Sequence, residues 1–202
     1  MIKKLSVLTA LLVVLATLTA CGNDEDHGQA HDTKTAAGGS EFNDADVAFA
    51  TDMMQHHAQA LVMVDMTMGR KLDPVVKDLV EAIRTAQAPE IEQMTDWLTE
   101  WDQPVPETAR DHANAHGEGD MEMDPEMPGM MSADEMAALE AADGAEFERM
   151  WLEMMIEHHE GAVEMAKSEQ AEGVNKDAIE MAKSIESSQQ DEIATMEKLL
   201  AS

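Results

Sequence analysis

The chain has 202 residues with 42 acidic against 13 basic side chains, a net charge of −29. That balance argues against nucleic acid or an anionic lipid surface as a partner and favours cations, although on charge alone a solvated acidic surface is the stronger reading. Methionine is over-used, at 19 residues beside three phenylalanines and no tyrosine, and the one cysteine excludes an internal disulfide or a cysteine-rich zinc site.

In chain order, Met1-Ile2-Lys3-Lys4 is a short basic start and Leu5 to Leu18 an almost unbroken apolar run, closed by Leu18-Thr19-Ala20-Cys21. The run is shorter than the ~20 apolar residues a spanning helix needs, so residues 1–20 read as a secretory signal. The closing residues resemble the lipobox of bacterial lipoproteins, which makes Cys21 the lipidated first residue of an exported protein. Anchoring to the outer face of the cytoplasmic membrane, or the periplasm, is the expectation. An ordinary signal peptide with a chance cysteine is the alternative. Loss of Lys3 and Lys4 takes the net charge from −29 to −31. A lipidated Cys21 leaves no free thiol, so methionine is then the only soft metal ligand.

Residues 21–42 are rich in Gly, Asp, Asn, His and Thr and read as a flexible tether. Helical patterns follow at about 44–70 and 74–101, broken between Gly69 and Pro74. Residues 102–131 read as an acidic linker rich in Gly, Pro, His and Met. Ser132-Ala133-Asp134-Glu135 is a capping box that opens a short helix. Two more helical patterns run about 143–172 and 175–201. Period-2 alternation is absent, so no sheet is predicted. The domain is thus 43–201, with hairpins 43–101 and 132–201 joined by the linker.

The hairpins repeat each other. Residues 49–98 overlie 151–200 without a gap at an offset of 102, with eleven identities in 50 positions. Phe49, Met53, His56, Ala60 and Met63 match Trp151, Met155, His158, Ala162 and Met165, at the steps of four and three that trace one helix face. Ile83, Gln87, Glu90 and Met94 match Ile185, Gln189, Glu192 and Met196 in the same way. Two such hairpins bury their stripes against each other, so an all-α pseudo-two-fold four-helix bundle is predicted.

Each stripe carries polar groups where a plain bundle has Leu or Ala. A buried imidazole or carboxylate is costly unless paired or bound to metal. His56 and His57, and His158 and His159, lie among methionines, so each hairpin offers two imidazoles and two to three thioethers within two turns. One reading pairs each histidine with Glu90 or Glu192 in a polar network that fixes register. The other binds a soft or borderline ion. The linker favours the second: Met121, Met123, Met127, Met130 and Met131 lie within eleven residues, after His112 and His116. That stretch holds too much charge and proline to pack as core. Thioether suits Cu(I), and by extension Ag(I), and needs no deprotonation. A disordered acidic spacer is the alternative.

The pattern Phe49-x3-Met53-x2-His56-His57-x2-Ala60, then Ile83-x3-Gln87-x2-Glu90-Ile91-x2-Met94-x2-Trp97-Leu98, repeated at Trp151–Leu200, resembles the bacterial family named domain of unknown function 305. The resemblance implies a ferritin-like bundle, exported in most members and copper-associated in some. By motif match it points to Met53, His56, His57 and Glu90, with Met155, His158, His159 and Glu192. Added to the residues above, the candidate ligands are Met53, Met54, His56, His57, Met63, Glu90, Met94, Met154, Met155, His158, His159, Met165, Glu192 and Met196, with the linker's His112, His116, Met121, Met123, Met127, Met130 and Met131. Pro89, where the second copy has Asp191, predicts a kink near Gln87 and two inequivalent sites.

A di-iron centre needs Glu-x-x-His on two helices. Met53, Met54, Met155 and Ile156 occupy the acidic positions, so an oxygen-activating enzyme is not expected. The reading is a Cu(I)-binding lipoprotein with no organic cofactor. A metal-free envelope interaction module and a metalloenzyme of another kind are the alternatives.

Overall fold

The computed structural model describes residues 32–108 and 127–202. The signal segment, Cys21, His112, His116, Met121 and Met123 lie outside them. Helix α1 spans Asp44–Asp65, α2 Pro74–Glu100, α3 Ala133–Ala141, α4 Gly144–Glu172 and α5 Lys176–Leu200. Their starts follow from local chemistry. Asn43 and Asp46 form a capping box on α1, Asp73 with Pro74 opens α2, and Ser132 with Glu135 caps α3 as its sequence requires. Helix α1 stops short of the predicted 70 because the chain turns through Met66–Arg70, where Gly69 adopts φ +76°. Pro89 sits inside α2 without ending it.

The absence of a sheet needs correcting. Strands β1 (Lys34–Thr35) and β2 (Glu41–Phe42) pair antiparallel, too short for period-2 patterning to show. This hairpin, at the end of the stretch read as a tether, puts Phe42 into the core, stacked on Trp101 at 5.0 Å.

Helix α1 packs on α2 and α4 on α5 within the hairpins, and α1 on α4 between them. Two apolar clusters result. One joins Ala60, Met63, Ile83, Trp151, Met155 and Met196; the other joins Phe49, Met53, Ile83's counterpart Ile185, Met94 and Ala162, with Met165 packed against it. The offset of 102 turns each set into the other. The fold is therefore a four-helix bundle whose pseudo-two-fold axis exchanges the clusters, and each cluster draws methionines from both hairpins. Among the described residues, no helix is long and apolar enough to cross a membrane.

Candidate metal centre

The paired histidines sit mid-helix in α1 and α4. Consecutive helical residues point about 100° apart, so each pair serves two directions. His56 and His158 face each other across the α1–α4 contact, ring centroids 3.7 Å apart at 42°. His57 and His159 turn to their own hairpin partners: Nε2 of His57 lies 2.8 Å from Glu90 Oε2, and Nε2 of His159 lies 2.7 Å from Glu192 Oε2. All four side chains are buried.

Burial first, and the neighbouring His57 second, pushes His56 down to about 3, and the Pro128 carbonyl offsets this only in part. His158 is lowered well below the ordinary range by burial and by the three other imidazoles. Burial also lowers His159, despite its carboxylate partner. These three rings are thus neutral at ordinary pH, and a neutral imidazole is the form that binds metal.

Their tautomers follow from their partners. A carbonyl or carboxylate only accepts, so Nε2 of His57 and His159 donates to Glu90 and Glu192, and Nε2 of His56 donates to Pro128 O at 3.1 Å. In a neutral ring so engaged the bare lone pair is on Nδ1. Those three Nδ1 atoms, with both nitrogens of His158, are buried without a hydrogen-bond partner. A buried polar group left unsatisfied costs about 1–3 kcal/mol, so five such nitrogens in one layer call for an explanation. Metal-binding histidines characteristically donate the other ring N–H to a carboxylate or carbonyl. The predicted Glu90 and Glu192 are accordingly partners of histidines, in direct contact with them.

The methionines divide between the two clusters. Met63, Met131, Met155 and Met196 are buried in one, with Met154 against it; Met53, Met54 and Met94 are buried in the other, with Met165 against it. The predicted grouping of thioethers by hairpin is thus replaced by a grouping across hairpins, since α1 and α4 run past each other in opposite senses. Met54 Sδ accepts from Thr95 Oγ1 at 3.2 Å. A second correction concerns the linker's end: Met131 is core, 2% exposed, while Met127 and Met130 are half-buried. Proline and charge nearby did not prevent packing there, because Gln59 satisfies the backbone of Met131.

Among the described residues, no three His, Cys, Asp or Glu side chains converge as a metal site.

Sequence reasoning missed Gln59, Pro128 and Gly161. The available signal was that Gly161, alone in mid-helix, replaces Gln59 at the repeat offset. It also missed a carboxyl pair: Glu169, 1% exposed, lies against the fully buried Asp46 at the opening of α1. Burial first, then Asp46, pushes Glu169 up to about 9.

Residues 46–200 match the family model of the domain of unknown function DUF305. A DUF305 fragment from Deinococcus radiodurans is 31% identical, with a TM-score of 0.65 over 83% of this chain and 99% of that one. A DUF305 protein from Streptomyces coelicolor, named as secreted, is 34% identical with a TM-score of 0.66, over 78% and 92%. The Cu(I)-bound form of a protein called CopM is 27% identical with a TM-score of 0.60, over 76% and 94%, and its Cu(II)- and silver-bound forms match as well. No curated protein matches the chain.

Proposed function

The chain belongs to the DUF305 family, and from that premise we propose that it is an exported, lipid-anchored protein that takes up Cu(I), and Ag(I) by the same chemistry. Its role is sequestration or transfer of the ion rather than catalysis. The observation that carries the reading is the layer of buried imidazoles with five unpartnered nitrogens, flanked on both sides by methionine clusters. The Cu(I)-bound and silver-bound forms of CopM, similar over most of its length, support it. Imidazole and thioether together suit a monovalent soft ion, and His56, His57, His158 and His159 would supply the nitrogens. Export rests on the basic and apolar start of the chain, and anchoring on Cys21.

The Glu90–His57 and Glu192–His159 bonds favour a second reading, in which the layer is a polar network that fixes register in a metal-free interaction module. Titration of the mature chain with Cu(I) against a chromophoric competitor separates the two. Replacing His56, His57, His158 and His159 together with leucine is expected to lower copper stoichiometry sharply while the helices persist. Unchanged uptake with lowered stability makes the four histidines packing groups and ends the imidazole site, whereas no uptake by the unaltered chain ends the copper reading.

A further inference from the structure

Among the positions beside the imidazole layer where the two copies differ, Gln59 of α1 is replaced, at the offset of 102, by Gly161 of α4. Residues 127–131 lie across this point as a strap. The buried Gln59 side chain grips both main-chain groups of Met131, donating from Nε2 to its carbonyl and accepting its N–H at Oε1, each at 2.8 Å. On the other side the strap rests directly on helix backbone. A Cβ at Gly161 would run into the Pro128 carbonyl. A Cβ at Gly129, which holds φ +73°, would lie 2.5 Å from Glu157 O and 3.1 Å from Gly161 Cα. Only glycine permits this approach from both sides.

The strap's hydrogen bond to the layer is unequal. Pro128 O lies 3.1 Å from His56 Nε2, whereas neither nitrogen of the tilted His158 makes a full hydrogen bond, its one weak acceptor contact being the His56 carbonyl. We infer that Gln59, Gly129 and Gly161 are positioning residues: they set the strap so that the Pro128 carbonyl holds His56 as the Nε2–H tautomer with Nδ1 bare, and leaves His158 unassigned. Resting on the metal-binding reading, the consequence is that the duplicated halves do not bind equivalently. His56 offers Nδ1 with its ring already oriented, while His158 is fixed only when an ion arrives, so orienting it lowers the affinity it can contribute.

The test uses the metal-free full domain with 15N-labelled histidine. Long-range proton–nitrogen spectra are expected to show His56 protonated at Nε2 and His158 as a mixture of tautomers. Gly161→Ala is expected to displace the strap and turn His56 into a mixture as well. Gln59→Leu, which removes both hydrogen bonds and adds no bulk to the backbone contact, serves if Gly161→Ala fails to fold. Pro128→Ala keeps the carbonyl and is expected to leave His56 unchanged. In folded Gly161→Ala or Gln59→Leu, Cu(I) affinity is expected to weaken about tenfold, the lower end of the effect of losing a metal ligand's orienting partner. A fixed His56 in those folded variants, or a mixture already in the unaltered protein, overturns the assignment. The tautomers are read without metal, so failure of the unaltered protein to bind copper would end the functional reading and leave this result standing.

Discussion

An imidazole with one nitrogen engaged presents the other, so what it touches on the far side decides what it can bind. Glu90 and Glu192 occupy the far side of His57 and His159. Glu90→Gln and Glu192→Gln keep the shape but remove the charge that raises ligand basicity. Each is expected to weaken Cu(I) binding about tenfold without melting the helices, as competition titration and circular dichroism would show. Much at this scale was legible in the sequence. A histidine recurring among methionines at steps of three and four has to face inward, and a carboxylate on the partner helix is its natural acceptor. The tautomer of His56 was not legible. It depends on Pro128, 72 residues away, and no pattern within a helix encodes that contact.

Among elements, the helices were the most readable, because caps and apolar spacing are local properties. Ser132 to Glu135 announced α3, and Asn43 and Asp46 cap α1 by the same chemistry. Asn43 also donates from Nδ2 to Glu172 O at 2.7 Å and so ties the start of α1 to the end of α4. Asn43→Ala is therefore expected to cost about 1–2 kcal/mol, the upper range for a cap, measured by urea unfolding. The short hairpin and the strap escaped the reading for a shared reason. Neither has enough residues to carry a period, and both are held by long-range groups: the stacking of Phe42 on Trp101 and the grip of Gln59 on Met131.

For the whole molecule, buried titrating groups shape stability in opposite directions, Glu169 in one and His56, with His158 and His159, in the other. Glu169, folded at about 9 against an ordinary 4.5, contributes stability that is fully present below pH 4.5 and is lost as pH rises toward 9. His56, folded at about 3 against 6.5, contributes stability present above pH 6.5 and lost as pH falls toward 3. For metal-free protein the two slopes oppose each other between 4.5 and 6.5, and Glu169 governs the alkaline side. Glu169→Gln is expected to flatten the decline between pH 6.5 and 9 in urea unfolding. A decline as steep as before assigns it to other groups. The bundle itself was readable from the 102-residue repeat, but the sharing of methionines across hairpins was not, because a repeat shows which residues correspond and not which ones meet.

That sharing bears on how the domain could be divided. Met63 of α1 lies in one cluster with Met155 and Met196, and Met53 and Met94 lie in the other with Met165 beside them, so neither hairpin owns a complete set of sulfurs. Produced as separate chains, the two hairpins would each carry part of both clusters and the whole of neither. Only on mixing would they recover them, with the second hairpin bringing the strap as well if its chain began at Met127.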